Sequence, residues 1–115
     1  DLSILGKLLD QYPNLYADIA ARYGEVAPIP RYMNAFFTKY QDRLVYGTDM
    51  GMSPKMYRTT FRVLETQDEY FDYYRKRHAF WKMYGLGLPD EVLKKLYYKN
   101  ALKVIPHIDS SSFPK

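Results

Sequence analysis

The chain lacks cysteine, is poor in histidine and has no long apolar run. The lack of cysteine excludes disulfides, iron–sulfur clusters and thiol chemistry within these 115 residues. No apolar run approaches the ~20 residues that span a bilayer, and no signal-like start is visible. We therefore expect a cytoplasmic protein without a membrane partner. His78 and His107 are the only histidines, which leaves few nitrogen ligands for a metal.

The composition is that of one globular domain, with 47% hydrophobic and 26% charged residues. Its unusual feature is 13 tyrosines, and the net charge is +4. Nucleic-acid-binding modules use stacking tyrosines and basic residues to bind bases and phosphates. A basic, tyrosine-rich nucleic-acid-binding module is therefore one alternative. However, most tyrosines fall at core spacing and no RNA-binding signature is present, so we expect no nucleic-acid partner. The basic cluster at residues 75–78 is interpreted as a solvated loop or helix end rather than a phosphate site.

Apolar residues recur at three- and four-residue steps in several segments, which predicts helices. We expect helices at residues 2–12, 30–40 and 54–65, one or two short helices within 68–84, and a final helix from Asp90 to about Leu102. Short apolar segments at residues 14–18 and 44–46 predict strands. Strands that alternate with helices across short connections imply a parallel sheet. Residues 106–115 are expected to form a flexible tail.

Two parallel strands cannot cover both faces and both edges of a sheet by themselves. The pattern therefore favours an α/β fold that is the C-terminal portion of a (β/α)8 barrel, a fold that typically needs about 250 residues. On this interpretation residues 1–115 are the C-terminal segment of one barrel domain and are incomplete as an isolated barrel. We expect the isolated segment to be poorly folded or aggregated.

The strand at 44–46 runs directly into a Gly-Thr-Asp turn at residues 47–49. In a parallel barrel, such turns lie at the face where active sites form. A carboxylate delivered there by a strand can serve as a metal ligand, a general base, or both. The alternative is that Asp49 only ends the strand and caps the next turn.

Three runs of the chain resemble the amidohydrolase-related family of metal-dependent barrel hydrolases, within the amidohydrolase superfamily. They are YPNLYADIAAR, RLVYGTDMG and LPDEVLKKLYYKNALKVI, and the resemblance extends from about Leu2 to Ile105. It implies that residues 14–18 and 44–48 are the seventh and eighth barrel strands. The implied activity is attack of a metal-activated water on the amide, ester or lactone carbonyl of a small molecule.

The resemblance places Asp49 at the position of the carboxylate that contacts the divalent metal, zinc by expectation, and takes the proton of the attacking water. It also implies that the histidine ligands lie on earlier strands that this sequence does not contain. Neither His78 nor His107 matches a ligand position. Relatives with the same metal and Asp catalyse non-oxidative decarboxylation, so a decarboxylase stays the close alternative.

Three further residues are candidates for the substrate pocket. Asp18 and Arg22 follow the first predicted strand, and Arg22 could bind a substrate carboxylate in a bidentate contact. The alternative is an Asp18–Arg22 ion pair that only fastens the loop. Met50 is expected to line the pocket, although loop methionines often only pack. The aromatic-rich residues 70–84 are expected to pack beneath the barrel or to reach a second subunit of a homo-oligomer.

Overall fold

The structure is a computed structural model that describes residues 1–75 and 77–115. In chain order its elements are α1 (Leu2–Gln11), β1 (Ala17–Asp18), α2 (Tyr23–Val26), α3 (Pro30–Lys39), β2 (Leu44–Val45), α4 (Pro54–Glu65), α5 (Asp90–Lys94), a π-helical turn (Lys95–Lys99), α6 (Asn100–Val104) and a 3-10 turn (Ser110–Ser112). Elements α5, the π turn and α6 follow one another without a break. We call residues 90–104 the C-terminal helix.

Helices α1 and α4 begin at residues whose side chains cap them. The Asp1 carboxylate accepts a hydrogen bond from the Ser3 amide at 2.8 Å, at the start of α1. Ser53 caps α4, and Pro54 occupies its first turn, where a missing N–H costs nothing. The observed bounds of α1, α3 and α4 confirm the predicted helices at 2–12, 30–40 and 54–65 to within one residue at their ends.

Strands β1 and β2 pair in parallel, as predicted, with Ala17 opposite Leu44 and Asp18 opposite Val45. Each strand is two residues long, which is shorter than the predicted 14–18 and 44–46. The first is shortened because residues 13–14 form a turn before it. The second ends at Val45, whose carbonyl accepts from the Ile19 amide at 3.1 Å.

The prediction of one or two short helices within residues 68–84 is wrong for the described part of that segment. It is an irregular loop closed by an antiparallel bridge between Phe71 and Met83. The Phe71 and Met83 amides each donate to the other residue's carbonyl, at 3.2 and 2.8 Å, a pairing that one continuous helix through these residues could not make. In the predicted basic cluster, Lys76 lies outside the described residues, and the Arg75 guanidinium lies 3.0 Å from the His78 ring nitrogen Nε2.

One apolar core joins α3, α4, the irregular loop and the C-terminal helix. Its largest fully buried apolar side chains are Tyr23, Phe37, Met33, Met56, Leu64, Met83 and Leu96. Residues 106–115 are exposed, although the Phe113 ring stacks on that of Tyr98 with centroids 5.6 Å apart. In the ranges that the structure describes, no helix combines the length and apolar character needed to cross a membrane.

Candidate functional site

Asp49 lies four residues beyond the end of β2, in the loop at the carboxyl ends of the parallel strands. Its backbone is in the left-handed region with φ of 56°, which Asp tolerates better than most residues. Its side chain is exposed, and within the described ranges no hydrogen-bond or ion-pair partner holds its carboxylate. The carboxylate is therefore available to contact a ligand from solvent.

Asp18 lies against the turn that carries Asp49. A Cβ atom added to Gly47 would stand 2.3 Å from the Asp18 oxygen Oδ1, so only glycine fits at this position without a shift of Asp18. The same Oδ1 accepts a hydrogen bond from the Ala20 amide at 2.7 Å, which fixes the carboxylate. The structure thus brings Asp18 to Gly47, two residues before Asp49, as the parallel strands predict.

Tyr23 also holds this turn by a hydrogen bond. Its hydroxyl donates to the Gly47 carbonyl at 2.7 Å, and its side chain is almost completely buried. Burial raises the pKa of Tyr23 well above its ordinary value, so the phenol stays protonated and keeps donating. Sequence reasoning missed this residue because it lies on α2, a four-residue helix too short to show a period.

The rings of Phe61 and Tyr97 pack against Tyr46, the residue immediately before Gly47. The Tyr46 hydroxyl lies 2.8 Å from Thr60 Oγ1, and its ring makes an edge contact with Tyr97 at 5.4 Å between centroids. The Tyr97 hydroxyl donates to Glu65 Oε2 at 2.9 Å. Burial is the main cause that raises the pKa of both Tyr46 and Tyr97, which keeps these phenols neutral.

The remaining candidates lie near the turn but are not joined to it. Arg22 forms an exposed ion pair with Glu25 at 3.4 Å, so the predicted alternative of an Asp18–Arg22 pair is not what the structure shows. Met50 is 44% exposed and therefore reachable by a ligand. A contact of Arg22 or Met50 with substrate stays a prediction.

Among the described residues, Asp49 presents one exposed carboxylate without a hydrogen-bond or ion-pair partner. In the described ranges, no group of three or more His, Cys, Asp or Glu side chains converges to form a metal site. His78 contacts Arg75, and His107 lies in the exposed turn after α6. A catalytic zinc site needs about three protein ligands, so Asp49 can contribute to such a site but cannot form it alone.

Comparison with known proteins gives one match. A family model described as amidohydrolase matches residues 2–106. No curated protein and no solved structure gives a match. The matched range contains both strands, the turn with Asp49 and the C-terminal helix.

Proposed function

The chain belongs to the amidohydrolase family, and on that premise we propose that it is the C-terminal part of a metal-dependent barrel hydrolase. In this proposal β1 and β2 are the seventh and eighth strands of a (β/α)8 barrel. The substrate is a small molecule with an amide, ester or lactone carbonyl. The metal is a divalent ion, zinc in the first instance.

The observation that carries the proposal is the position of Asp49. Its exposed carboxylate follows β2 at the carboxyl end of a parallel pair of strands. Active sites of (β/α)8 barrels form at this end of the strands, from the loops that follow them. The unpartnered carboxylate and the left-handed backbone are both features that functional turns show.

Asp49 has two tasks in the proposed reaction. A bound divalent ion would supply Lewis acidity, which lowers the pKa of a coordinated water to about 7. Asp49 would hold that ion through its carboxylate, and the same carboxylate would accept the proton of the water that attacks the carbonyl. The protonated carboxyl group then donates to the leaving nitrogen or oxygen. Asparagine has a similar shape but cannot accept and return that proton.

The residues around Asp49 hold the turn in place during these proton transfers. Tyr23 fixes the Gly47 carbonyl, and Asp18 packs against the Gly47 Cα atom. Asp18 also places a second negative charge near the turn, which favours a cation there. In the proposal, Arg22 and Met50 reach the substrate from the two loops that follow the strands.

Substitution of Asp49 by Asn in the intact protein tests this function. We expect turnover of amide, ester and lactone substrates to fall about 10²–10⁴-fold, because general acid–base catalysis is lost. Circular dichroism should show an unchanged fold, since the Asp49 side chain is exposed. Asp90→Asn, which removes the same charge at the start of α5, is the matched control. Unchanged turnover in Asp49→Asn would remove Asp49 from the mechanism, and release of CO2 without hydrolysis would identify a decarboxylase instead.

A further inference from the structure

A small aromatic pocket lies in the irregular loop at residues 68–84. Its volume is about 300 Å³, and its lining residues are Asp72, Tyr73, Ala79, Phe80 and Trp81. Small-molecule sites are mostly lined by aromatic and apolar side chains with a few polar groups, and this volume is at the lower end of their range. The size and the lining of the pocket therefore suit a small apolar group.

The carboxylate at this pocket is paired with a lysine. The Lys82 ammonium forms an ion pair with the Asp72 carboxylate, and it also lies 5.1 Å from the centroid of the Tyr70 ring. A hydrogen bond to Asp72 raises the pKa of Lys82, which keeps the ammonium charged. A charged ligand group would lose its water at the aromatic lining, so the pocket favours an uncharged group.

Phe80 and Trp81 present aromatic surface that the described residues leave exposed. Phe80 is 91% exposed and Trp81 is 39% exposed, and their rings make an edge contact with centroids 5.1 Å apart. The Trp81 ring is fixed, because its nitrogen Nε1 donates to the Gly24 carbonyl at 2.7 Å. An exposed phenylalanine gains free energy when an apolar group covers it, and a third ring can pack on such a pair.

Helix α2 joins the pocket to the turn at residues 47–49. A Cβ atom added to Gly24 would stand 3.3 Å from the Ala79 Cβ atom, so the pocket lining packs closely on this helix. Tyr23, the residue before Gly24, donates to the Gly47 carbonyl at 2.7 Å. Four residues of α-helix are about 6 Å long, so one short helix holds both the pocket and the turn.

Tyr74 brings the same loop close to the residues that hold the turn. Its ring makes an edge contact with that of Tyr73, with centroids 4.7 Å apart. Burial first, and then neighbouring phenols that include Tyr74, raise the pKa of both Tyr23 and Tyr46. Tyr46 directly precedes Gly47 in the chain. The loop that contains the pocket therefore neighbours the turn that carries the candidate catalytic carboxylate.

We propose that Phe80 and Trp81 form an aromatic subsite of the substrate pocket, which takes an uncharged ring of the substrate. The substrate class is then an amide, ester or lactone that carries an aryl group, with its carbonyl at Asp49. The role as a substrate subsite rests on the proposed function, whereas binding of a ring at the pocket does not. Contact of the same two rings with a second copy of the chain is the competing outcome.

Tryptophan fluorescence of the intact, metal-free protein tests ring binding without turnover. The probe is N-benzylacetamide, and the reference is N-methylacetamide, which has the same amide without the ring. Trp81 is the single tryptophan of these 115 residues, and Trp81→Phe identifies the part of the signal that belongs to it. We expect a saturable change of that signal with the probe and none with the reference. Lack of a saturable change that depends on Trp81 would overturn the subsite.

Phe80→Ala is the central variant, and it should fold normally because the Phe80 side chain is almost wholly exposed. We expect it to weaken binding of N-benzylacetamide about five- to tenfold, the effect of losing one ring contact. Phe113→Ala removes another exposed phenylalanine, outside the pocket, and should leave the affinity unchanged. Equal affinities in the two variants would overturn the subsite. If Phe80→Ala instead changes the oligomeric state and keeps the affinity, the ring belongs to a subunit contact.

Hydrolysis of two esters by the intact protein with its metal tests the substrate class. Benzyl acetate and ethyl acetate share the acyl group, and their leaving alcohols are similarly basic, so the ratio of their kcat/KM values reports on the ring. We expect Phe80→Ala to lower this ratio about five- to tenfold and to leave kcat/KM for ethyl acetate unchanged. An unchanged ratio would overturn the subsite. Unchanged hydrolysis in Asp49→Asn, or none in the natural protein, would count against the proposed function alone, and the fluorescence titration would still decide whether the pocket binds a ring.

Discussion

Arg43 ties the end of α1 to the start of β2. Its guanidinium donates to the Leu15 carbonyl at 2.7 Å, to that of Tyr12 at 2.9 Å and to that of Pro13 at 3.0 Å, and it also contacts the Leu9 carbonyl. These carbonyls lie in and after the last turn of α1, where a helix leaves acceptors without partners. The planar fork of arginine can serve several acceptors at once.

Arg43→Lys should destabilise the protein by about 2 kcal/mol, because a lysine ammonium cannot reach this set of carbonyls and leaves some of them unpaired. The measurement is the free energy of unfolding in urea. Arg58→Lys is the control, since Arg58 is exposed on α4 and has no hydrogen-bond or ion-pair partner among the described residues. Equal stability of the two variants would show that the Arg43 contacts contribute nothing.

The sequence indicated Asp49 because an apolar strand followed by Gly-Thr-Asp has a simple signature. It could not indicate Tyr23 or the buried Asn100. Tyr23 donates a hydrogen bond to the Gly47 carbonyl and Asn100 donates one to the Leu44 carbonyl, and each acceptor is more than twenty residues away in the chain. The need for glycine at Gly47 also depends on a distant residue, Asp18, whose carboxylate occupies the space of a side chain. Contacts of this kind follow from packing, and no local spacing encodes them.

The last turn of α4 is completed by residues 85–88, which run alongside it. The amide of Leu86 donates to the Val63 carbonyl at 2.7 Å, and the amide of Leu88 donates to that of Leu64 at 3.0 Å. These bonds satisfy acceptors that a helix end would otherwise expose. The chain approaches so closely that a Cβ atom on Gly85 would stand 2.0 Å from the Thr66 carbonyl oxygen.

Gly85→Ala should therefore destabilise the protein by about 3 kcal/mol, because the obstacle is backbone that cannot rotate away. Thermal unfolding followed by circular dichroism measures the effect. Gly51→Ala is the matched control, since no atom lies within 4 Å of the added Cβ and its φ is not in the left-handed region. A melting temperature of Gly85→Ala equal to that of Gly51→Ala would contradict the close approach.

The irregular loop at residues 68–84 shows why the helices predicted there from the sequence were wrong. Clustered aromatic residues suggested helices, but here they dock one by one onto a core built by other elements. Trp81 is an example, because its ring nitrogen donates to the Gly24 carbonyl at 2.7 Å, and Gly24 lies 57 residues earlier in the chain. The parallel pairing of β1 and β2, in contrast, was predictable because strand and helix periods alternate along the chain.

At the scale of the whole molecule, tyrosine builds much of the core. All tyrosines lie in the described ranges, and of these Tyr12, Tyr32 and Tyr70 are exposed whereas the others are buried or half-buried. Burial raises the pKa of Tyr23, Tyr46, Tyr73 and Tyr97. Most of the tyrosines therefore pack against the core, and internal hydrogen bonds are made by Tyr23, Tyr40, Tyr46 and Tyr97.

The raised pKa values predict that stability is lost in alkali. In the unfolded chain tyrosine ionises at about pH 10, whereas the buried phenols stay protonated in the folded protein. Above about pH 10 the unfolded state therefore binds fewer protons than the folded state, and the free energy of unfolding falls as pH rises. Each strongly buried phenol contributes on the order of 1 kcal/mol per pH unit in that window.

Urea unfolding between about pH 8 and about pH 11 measures this dependence. Tyr23→Phe should make the decline less steep, because one buried phenol is removed, although it also loses the bond to Gly47 and is less stable at neutral pH. A free energy of unfolding that stays constant across this range would contradict the buried, neutral state of these phenols.

In the proposed function, Asp49 is a ligand of a divalent metal in an amidohydrolase barrel. The most direct test of this role is the affinity of the intact, metal-free protein for Zn²⁺, measured by calorimetric titration with Asp49 and with Asn in its place. We predict one tight site in the natural protein, and for Asp49→Asn a loss of affinity larger than the roughly 10–100-fold that removal of a supporting residue costs. Identical affinities for the two proteins would contradict the account.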